Sequence, residues 1–228
     1  MSKKLIVKVF MTEFREKCYA CNRPKSSCLC KYIKPIQTNT KFIILMHPKE
    51  FSKTKNNTGK LTQQSLSNSQ IHVGINFTHN DKINALINDT NNNCYVLYPS
   101  DTSIKLNHSS IKEPNKNIII FIIDSTWPCS NKMLRLSQNI NQLPKVSFEH
   151  DKVSQYKIKT QPNELSLSTI ESTLCVLELL NKHQDEEIEK NDLENFLEPF
   201  LQMIKYQTSL YSNPNKKQVR YKKPQNKS

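Results

Sequence analysis

Ile118-Ile119-Ile120-Phe121-Ile122-Ile123-Asp124-Ser125-Thr126-Trp127 is the stretch on which the fold turns. Six consecutive apolar residues, five of them β-branched, end abruptly in an acid. Such a run reads as a strand buried on both faces, the pattern of a parallel sheet covered by helices on each side. Asp124 then lies at the carboxyl end of the strand, where open α/β sheets place their ligands. Pro128 suits the first turn of a following helix, because its missing N–H would have had no partner there. Both local residues also have ordinary structural readings. An Asp after a strand serves equally as a turn or N-cap residue, and the chain's one Trp could simply be core.

The chain has 228 residues, enough for one α/β domain with small appendages and a substantial core. No apolar run reaches membrane-spanning length, and Lys8 interrupts the short apolar stretch near the start, so neither a membrane span nor a signal peptide is expected. The net charge of +13 is unevenly placed. Residues 1–60 carry 14 Lys/Arg against 3 Asp/Glu, residues 211–228 carry 6 against none, and residues 61–210 carry 13 against 17. Basic flanks on a mildly acidic body suit a polyanion, most simply nucleic acid. The competing reading is that abundant Lys, Asn and Ile reflect compositional bias.

Seven Cys cannot all pair internally, and four fall within 13 residues as Cys18-x2-Cys21-x6-Cys28-x-Cys30. In a chain without an export signal this spacing points to a closed four-cysteine zinc site in a reducing, cytoplasmic setting, with two disulfides as the alternative. Arg23 and Lys25 lie in the loop between the pairs, where they can meet phosphate. Cys94, Cys129 and Cys175 read as semi-buried thiols.

The other elements follow from patterning. Strands are expected at Phe42–Met46, Ile71–Ile75, Cys94–Tyr98, Lys145–Phe148 and Gln155–Lys159. Helices are expected over Asp81–Ile87, from Pro128 to about Gln138, and from a capping box formed by Ser168 and Glu171 through Leu180. A last amphipathic helix covers 192–210 with a kink at Pro199. A polar loop follows His47, residues 100–117 read as irregular, and the tail after Asn213 reads as disordered. Gly59, one of two glycines, implies positive φ or a close approach at a helix start. His47 could act as an acid or base, although a strand-end His is more often structural.

Six motifs then occur in one order between about residues 15 and 205. They are Cys18-x-x-Cys21-x-Arg23-Pro24 with Cys28-x-Cys30, His47-Pro48-x-Glu50, Asn57-Thr58-Gly59-x-Leu61, Leu97-Tyr98-Pro99, Asp124-x-Thr126-Trp127, and Leu167-Ser168-Thr169-x-Glu171. Together they resemble the DTW-domain family. The resemblance implies a SPOUT-like, mostly parallel α/β fold with a C-terminal trefoil knot over residues 37–210. A four-cysteine zinc module over 1–36 precedes it, and a basic tail over 211–228 follows. It also implies S-adenosylmethionine as co-substrate and transfer of its 3-amino-3-carboxypropyl group to uridine N3 in tRNA, releasing methylthioadenosine. Ser125 stands where the family often has Gly, Cys129-Ser130 where it often has Gln-Ala, Lys159 where it often has Arg, and Ser172 where it often has Ala.

The residues and the resemblance together give expected roles. Asp124 is the expected base. Ser168 and Thr169 are expected on the cofactor's carboxylate, with Leu167 beside them. Thr58, Gly59 and the Leu97-Tyr98-Pro99 loop are expected on its nucleoside part, with Ser125, Thr126 and Trp127 completing the site. Arg23, Lys25, Lys53 and Lys55 are expected on the RNA backbone, Cys18, Cys21, Cys28 and Cys30 on structural zinc, and the chain is expected to be a monomer. Two other readings remain at this point: a methyltransferase of the same fold, separated by product mass, and a non-catalytic zinc-ribbon RNA-binding protein, which would tolerate loss of Asp124.

Overall fold

A computed structural model describes residues 16–21, 23–53, 56–156 and 166–211 of the chain. Lys55, Lys159, the side chain of Lys53 and the basic tail fall outside the described residues.

Six strands among them form one wholly parallel sheet: β1 (Lys41–Met46), β2 (Ser69–Val73), β3 (Asn92–Leu97), β4 (Ile104–Lys105), β5 (Asn117–Asp124) and β6 (Lys145–Ser147), in the order β2-β1-β5-β3-β6-β4. β5 is the apolar run, and its side chains alternate between two cores as strand geometry requires. Ile118, Ile120 and Ile122 join Phe42, Leu61 and the C-terminal helices on one face. Ile119 and Phe121 join Ile43, Leu45, Met133 and Leu134 on the other. All five of these β5 residues are at most 5% exposed, so this strand alone contributes on the order of 10 kcal/mol of burial before entropy is counted.

Among the described residues eight helices cover the sheet: α1 (Pro48–Lys53), α2 (Thr58–Gln64), α3 (Asp81–Asn88), α4 (Trp127–Leu136), α5 (Gln138–Asn141), α6 (Thr169–Lys182), α7 (Lys190–Asn195) and α8 (Glu198–Tyr211). α2, α6 and α8 pack on one face, and α3, α4 and α5 on the other. The chain leaves β1 through α1 and α2 to reach β2 on one side, and leaves the adjacent β5 through α4 and α5 to reach β6 on the other side. Right-handed crossovers running in opposite directions must lie on opposite faces. A crevice therefore opens above the carboxyl ends of β1 and β5, the switch point where such sheets bind ligands.

Several boundaries differ from the sequence reading. The loop after His47 contains α1, too short for periodicity to reveal. Residues 100–117 are not wholly irregular, because Ile104–Lys105 adds the edge strand β4. The helix after Trp127 breaks at buried Ser137, whose hydroxyl accepts the Phe77 N–H at 3.0 Å. The last helix is two helices rather than one kinked helix: Pro199 occupies the first turn of α8, where it needs no N–H partner. Gln155 and Tyr156 are not in a strand, and the rest of that expected strand falls outside the described residues. Residues 157–165 lie outside them as well. No helix among the described residues is long and apolar enough to cross a membrane.

Candidate active site

Asp124 ends β5 in register with Met46, and its carbonyl accepts the His47 N–H at 3.1 Å, so the ends of β1 and β5 are tied together. The residue is 6% exposed. Its Oδ2 accepts from Asn57 Nδ2 at 2.8 Å, and its Oδ1 accepts from the Thr169 hydroxyl at 2.6 Å. Both oxygens accept a hydrogen bond from another segment of the chain. Asn57 is itself 2% exposed and caps α2, its Oδ1 accepting the Lys60 N–H at 2.7 Å. Thr169 is the first residue of α6. One carboxylate thus pins the starts of two helices, one 67 positions before it in sequence and the other 45 positions after it.

Gly59 makes this seating possible. Neither glycine adopts a positive φ, so close approach is the reason for this one. A Cβ at this position would lie 2.5 Å from Asp124 Oδ2 and 2.7 Å from its Cγ. Gly59→Ala is expected to cost about 1–3 kcal/mol through overpacking and to displace the carboxylate. Thermal melts and a turnover assay check this. A variant that melts with the wild type and keeps full activity would show that Asp124 is not seated against α2.

The crevice rim is aromatic on the β5 and β3 side. Trp127 is 46% exposed, which excludes the ordinary core reading of a lone Trp. Its ring meets that of Tyr98 edge-on at 5.9 Å. The Tyr98 hydroxyl donates to Asn131 Oδ1 on α4, and burial pushes its acidity below that of free tyrosine. Leu97 is half-buried and Pro99 exposed beside it. Ser125 shares a hydrogen bond with buried Ser130 at 2.7 Å, which holds the loop against α4, and Thr126 is the exposed N-cap of α4. Two positions that depart from the family pattern, Ser125 and Ser130, therefore bond to each other.

At the start of α6 the capping box is formed. Glu171, 5% exposed, accepts from the Ser168 N–H at 2.8 Å, the Gln155 N–H at 2.7 Å and the Ser154 hydroxyl at 2.9 Å. The Ser168 hydroxyl lies 2.6 Å from the same carboxylate. The hydroxyls of Ser168 and Thr169 are both engaged within the protein, with half-buried Leu167 preceding them. His47 takes the structural role: it is 7% exposed, and its Nδ1 accepts the Lys49 N–H at 3.1 Å.

The four N-terminal cysteines converge. Their sulfurs all lie within 4.8 Å of one another, with Cys18–Cys30 and Cys21–Cys28 each at 3.8 Å. Four thiolates about 2.3 Å from a tetrahedral zinc would be about 3.8 Å apart, whereas a disulfide needs about 2.05 Å. The group could therefore bind a metal ion. Backbone N–H groups of Cys21 and Ala20 draw the Cys18 thiol down to about 6, while burial pushes Cys30 up to about 12. The Cys18 N–H donates to the Arg23 carbonyl at 2.8 Å, closing the knuckle. Leu29, 4% exposed, inserts into the main core and docks the module on the body.

Arg23 is half-buried. Burial lowers its basicity, while the sulfurs of Cys21, Cys28 and Cys30 and the Tyr156 phenol work against that. The Tyr156 hydroxyl donates to the Asn56 carbonyl at 3.1 Å, one residue from Asn57. Lys25 is exposed and pairs with Glu16.

Asp124, Gly59, Thr169 and the Asn57 cap form one cluster, and Trp127 and Tyr98 form another. Asn57 is the functional residue to which the sequence reading gave no role, although it opens the Asn57-Thr58-Gly59-x-Leu61 motif. Its signal was present, an Asn directly before a short helix, but an N-cap reading of Asn57 does not disclose which acid its amide meets.

Comparison with known proteins gives a consistent picture. The family model described as DTW domain matches residues 15–208. The chain is similar to tRNA-uridine aminocarboxypropyltransferase 2 of Mus musculus, 29% identical over 75% of this chain and 58% of the relative. It is similar to the protein of that name from Macaca fascicularis, 26% identical over 74% of this chain and 58% of the relative. It is also similar to that from Drosophila melanogaster, 27% identical over 75% of this chain and 69% of the relative. The chain thus spans a little over half the length of the two mammalian relatives. No solved structure matches it.

Proposed function

The chain belongs to the DTW domain family, and from that premise we propose that it transfers the 3-amino-3-carboxypropyl group of S-adenosylmethionine to N3 of a uridine in tRNA. The single observation that carries the proposal is a buried carboxylate, Asp124, that accepts from Asn57 and Thr169 at the sheet's switch point, between two helix starts and three residues from a half-exposed Trp.

The chemistry assigns work to these residues. Uridine N3 loses its proton and attacks the γ-carbon of the methionine moiety. The carbon–sulfur bond breaks, and the sulfur leaves in neutral methylthioadenosine. Asp124 receives the proton, directly or through one water. Its negative charge also favours the cationic sulfonium end of the co-substrate in the crevice. Because the Ser168 and Thr169 hydroxyls are engaged, the backbone N–H groups of the first turn of α6 are the donors proposed for the co-substrate's carboxylate. Trp127, with Tyr98 behind it, supplies a face for the adenine, and Thr58, Gly59, Leu97, Pro99, Ser125, Thr126 and Leu167 shape the pocket around it. These roles make the γ-carbon, not the methyl, the one presented to N3.

Cys18, Cys21, Cys28 and Cys30 would hold zinc, which would supply structure rather than chemistry, since four thiolates leave no open position. All seven cysteines are free, which suits the reducing cytoplasmic setting we propose. The basic flanks and Arg23, Lys25, Lys53 and Lys55 would grip the tRNA backbone and make affinity fall with salt. We further propose the knotted SPOUT-like connection for this sheet and a monomeric enzyme.

The test is the co-product. Incubated with S-adenosylmethionine and unmodified tRNA, the protein is expected to release methylthioadenosine in step with tRNA modification. S-adenosylhomocysteine in its place would contradict the proposal and identify a methyltransferase.

A further inference from the structure

Phe51, on the helix α1 that leaves the carboxyl end of β1, is a large apolar side chain 46% exposed to water. Its helix α1 follows β1 as α4, which begins with Trp127, follows β5, so the two helices leave the carboxyl ends of adjacent strands. Phe51 belongs to neither core cluster. It is nonetheless held in place by Lys60 of α2. The Lys60 ammonium lies 4.1 Å from the Phe51 ring centroid, and it donates to the Phe51 carbonyl at 2.8 Å. The backbone N–H of Lys60 is fixed in turn by Asn57, the residue that holds Asp124. The ring's position is thus coupled to the carboxylate through one short helix. The stretch of sequence that contains both residues is strongly basic: residues 48–61 hold four Lys and one Glu.

An aromatic ring braced by a cation, half in water and in a basic stretch of sequence, has the features that receive an unpaired base and its phosphate. We propose that Phe51 and Lys60 form a stacking platform for an unpaired base of the RNA substrate, at or next to the target uridine, with Lys60 contacting the adjoining phosphate. The inference rests on the tRNA reading above and adds the residues that take the RNA at the crevice mouth. The platform acts on RNA alone, so it leaves S-adenosylmethionine binding untouched.

The experiment uses the full chain and an unmodified tRNA transcript. Direct binding, KM for tRNA, and S-adenosylmethionine affinity read from the fluorescence of the single Trp are measured for Phe51→Ala, Phe51→Leu, Phe51→Tyr and Lys60→Gln. Phe51→Ala is expected to weaken tRNA binding and raise its KM by roughly 5- to 150-fold, the range for loss of one stacked base. Phe51→Leu keeps the apolar bulk and fails to restore binding, whereas Phe51→Tyr restores it to within about threefold on the same scale. Lys60→Gln lowers the salt dependence by about one phosphate contact. Unchanged tRNA binding in Phe51→Ala, full rescue by Leu, or a parallel loss of S-adenosylmethionine affinity would overturn the proposal. Binding is read independently of turnover. A wild type that binds tRNA without modifying it would sink the transferase reading while still testing the platform, and one that binds no tRNA would sink both.

Discussion

Asp124→Asn is expected to reduce turnover by about 10²- to 10⁴-fold, the range for loss of a positioned proton acceptor, while the protein remains folded. The substitution removes charge and basicity with little loss of shape. The Asn oxygen can still accept from Asn57, and its amide can donate to the Thr169 hydroxyl, which rotates to accept. Both of these contacts, at 2.8 and 2.6 Å, therefore have a replacement, and for them the stability cost should stay near that of one altered hydrogen bond, about 1–3 kcal/mol. Asp124→Ala differs: it strands the Asn57 amide in a site 2% exposed and frees the start of α6, so it should melt earlier than Asp124→Asn. Steady-state kinetics, melting curves and tRNA binding on the same preparations separate the effects. Activity of Asp124→Asn within about threefold of wild type, against the range expected for such a group, would remove Asp124 from the chemistry.

Loss of the four-cysteine centre is the second large expected effect. The protein should carry about one zinc per chain. Cys21→Ser should lose the metal, and with it the order of the module. Structural zinc contributes about 10–16 kcal/mol in isolated finger peptides, so little else of comparable size holds such a segment. The consequence should reach beyond the module. Leu29 lies in the same core cluster as Phe42 and Leu61, and Tyr156, whose phenol acts electrostatically on Arg23, donates to Asn56 next to the Asp124 clasp. Cys21→Ser is therefore expected to melt earlier, bind tRNA more weakly and show altered Trp fluorescence on addition of S-adenosylmethionine. A metal-free variant that melts and binds like wild type would separate the module from the site. A wild type free of metal and lighter by four hydrogens on intact mass measurement would establish two disulfides instead.

The parts of this site that the sequence disclosed are those whose chemistry is written in adjacent residues. The β5 run could be placed because a strand buried on both faces cannot alternate, and its sudden end in Asp124 located the crevice. The cysteine spacing could be read because a tetrahedron of sulfurs demands short intervals. Ser168 and Glu171 could be read as a capping box because a helix start fixes that distance. What stayed hidden depends on contacts between distant residues. The Asn57–Asp124 bond spans 67 positions, and the bonds about Glu171 join residues 154–155 to α6. Gly59 signalled a constraint but left open whether it was conformational, and the cause is an Asp124 oxygen where a Cβ would sit. α1 and β4 were missed because six and two residues are too few to show a period. Ser137 and Pro199 divide helices through a side-chain bond and a first-turn placement that patterning does not encode.

The most direct test of the central claim uses S-adenosylmethionine labelled either in the methionine carboxyl carbon or in the methyl group. Each is incubated with purified protein and tRNA known to contain the unmodified uridine. The account predicts that carboxyl label enters the tRNA and methyl label does not. Methyl label alone in the tRNA, or neither label with tRNA still bound, would contradict it, the first in favour of methylation and the second in favour of a binding protein.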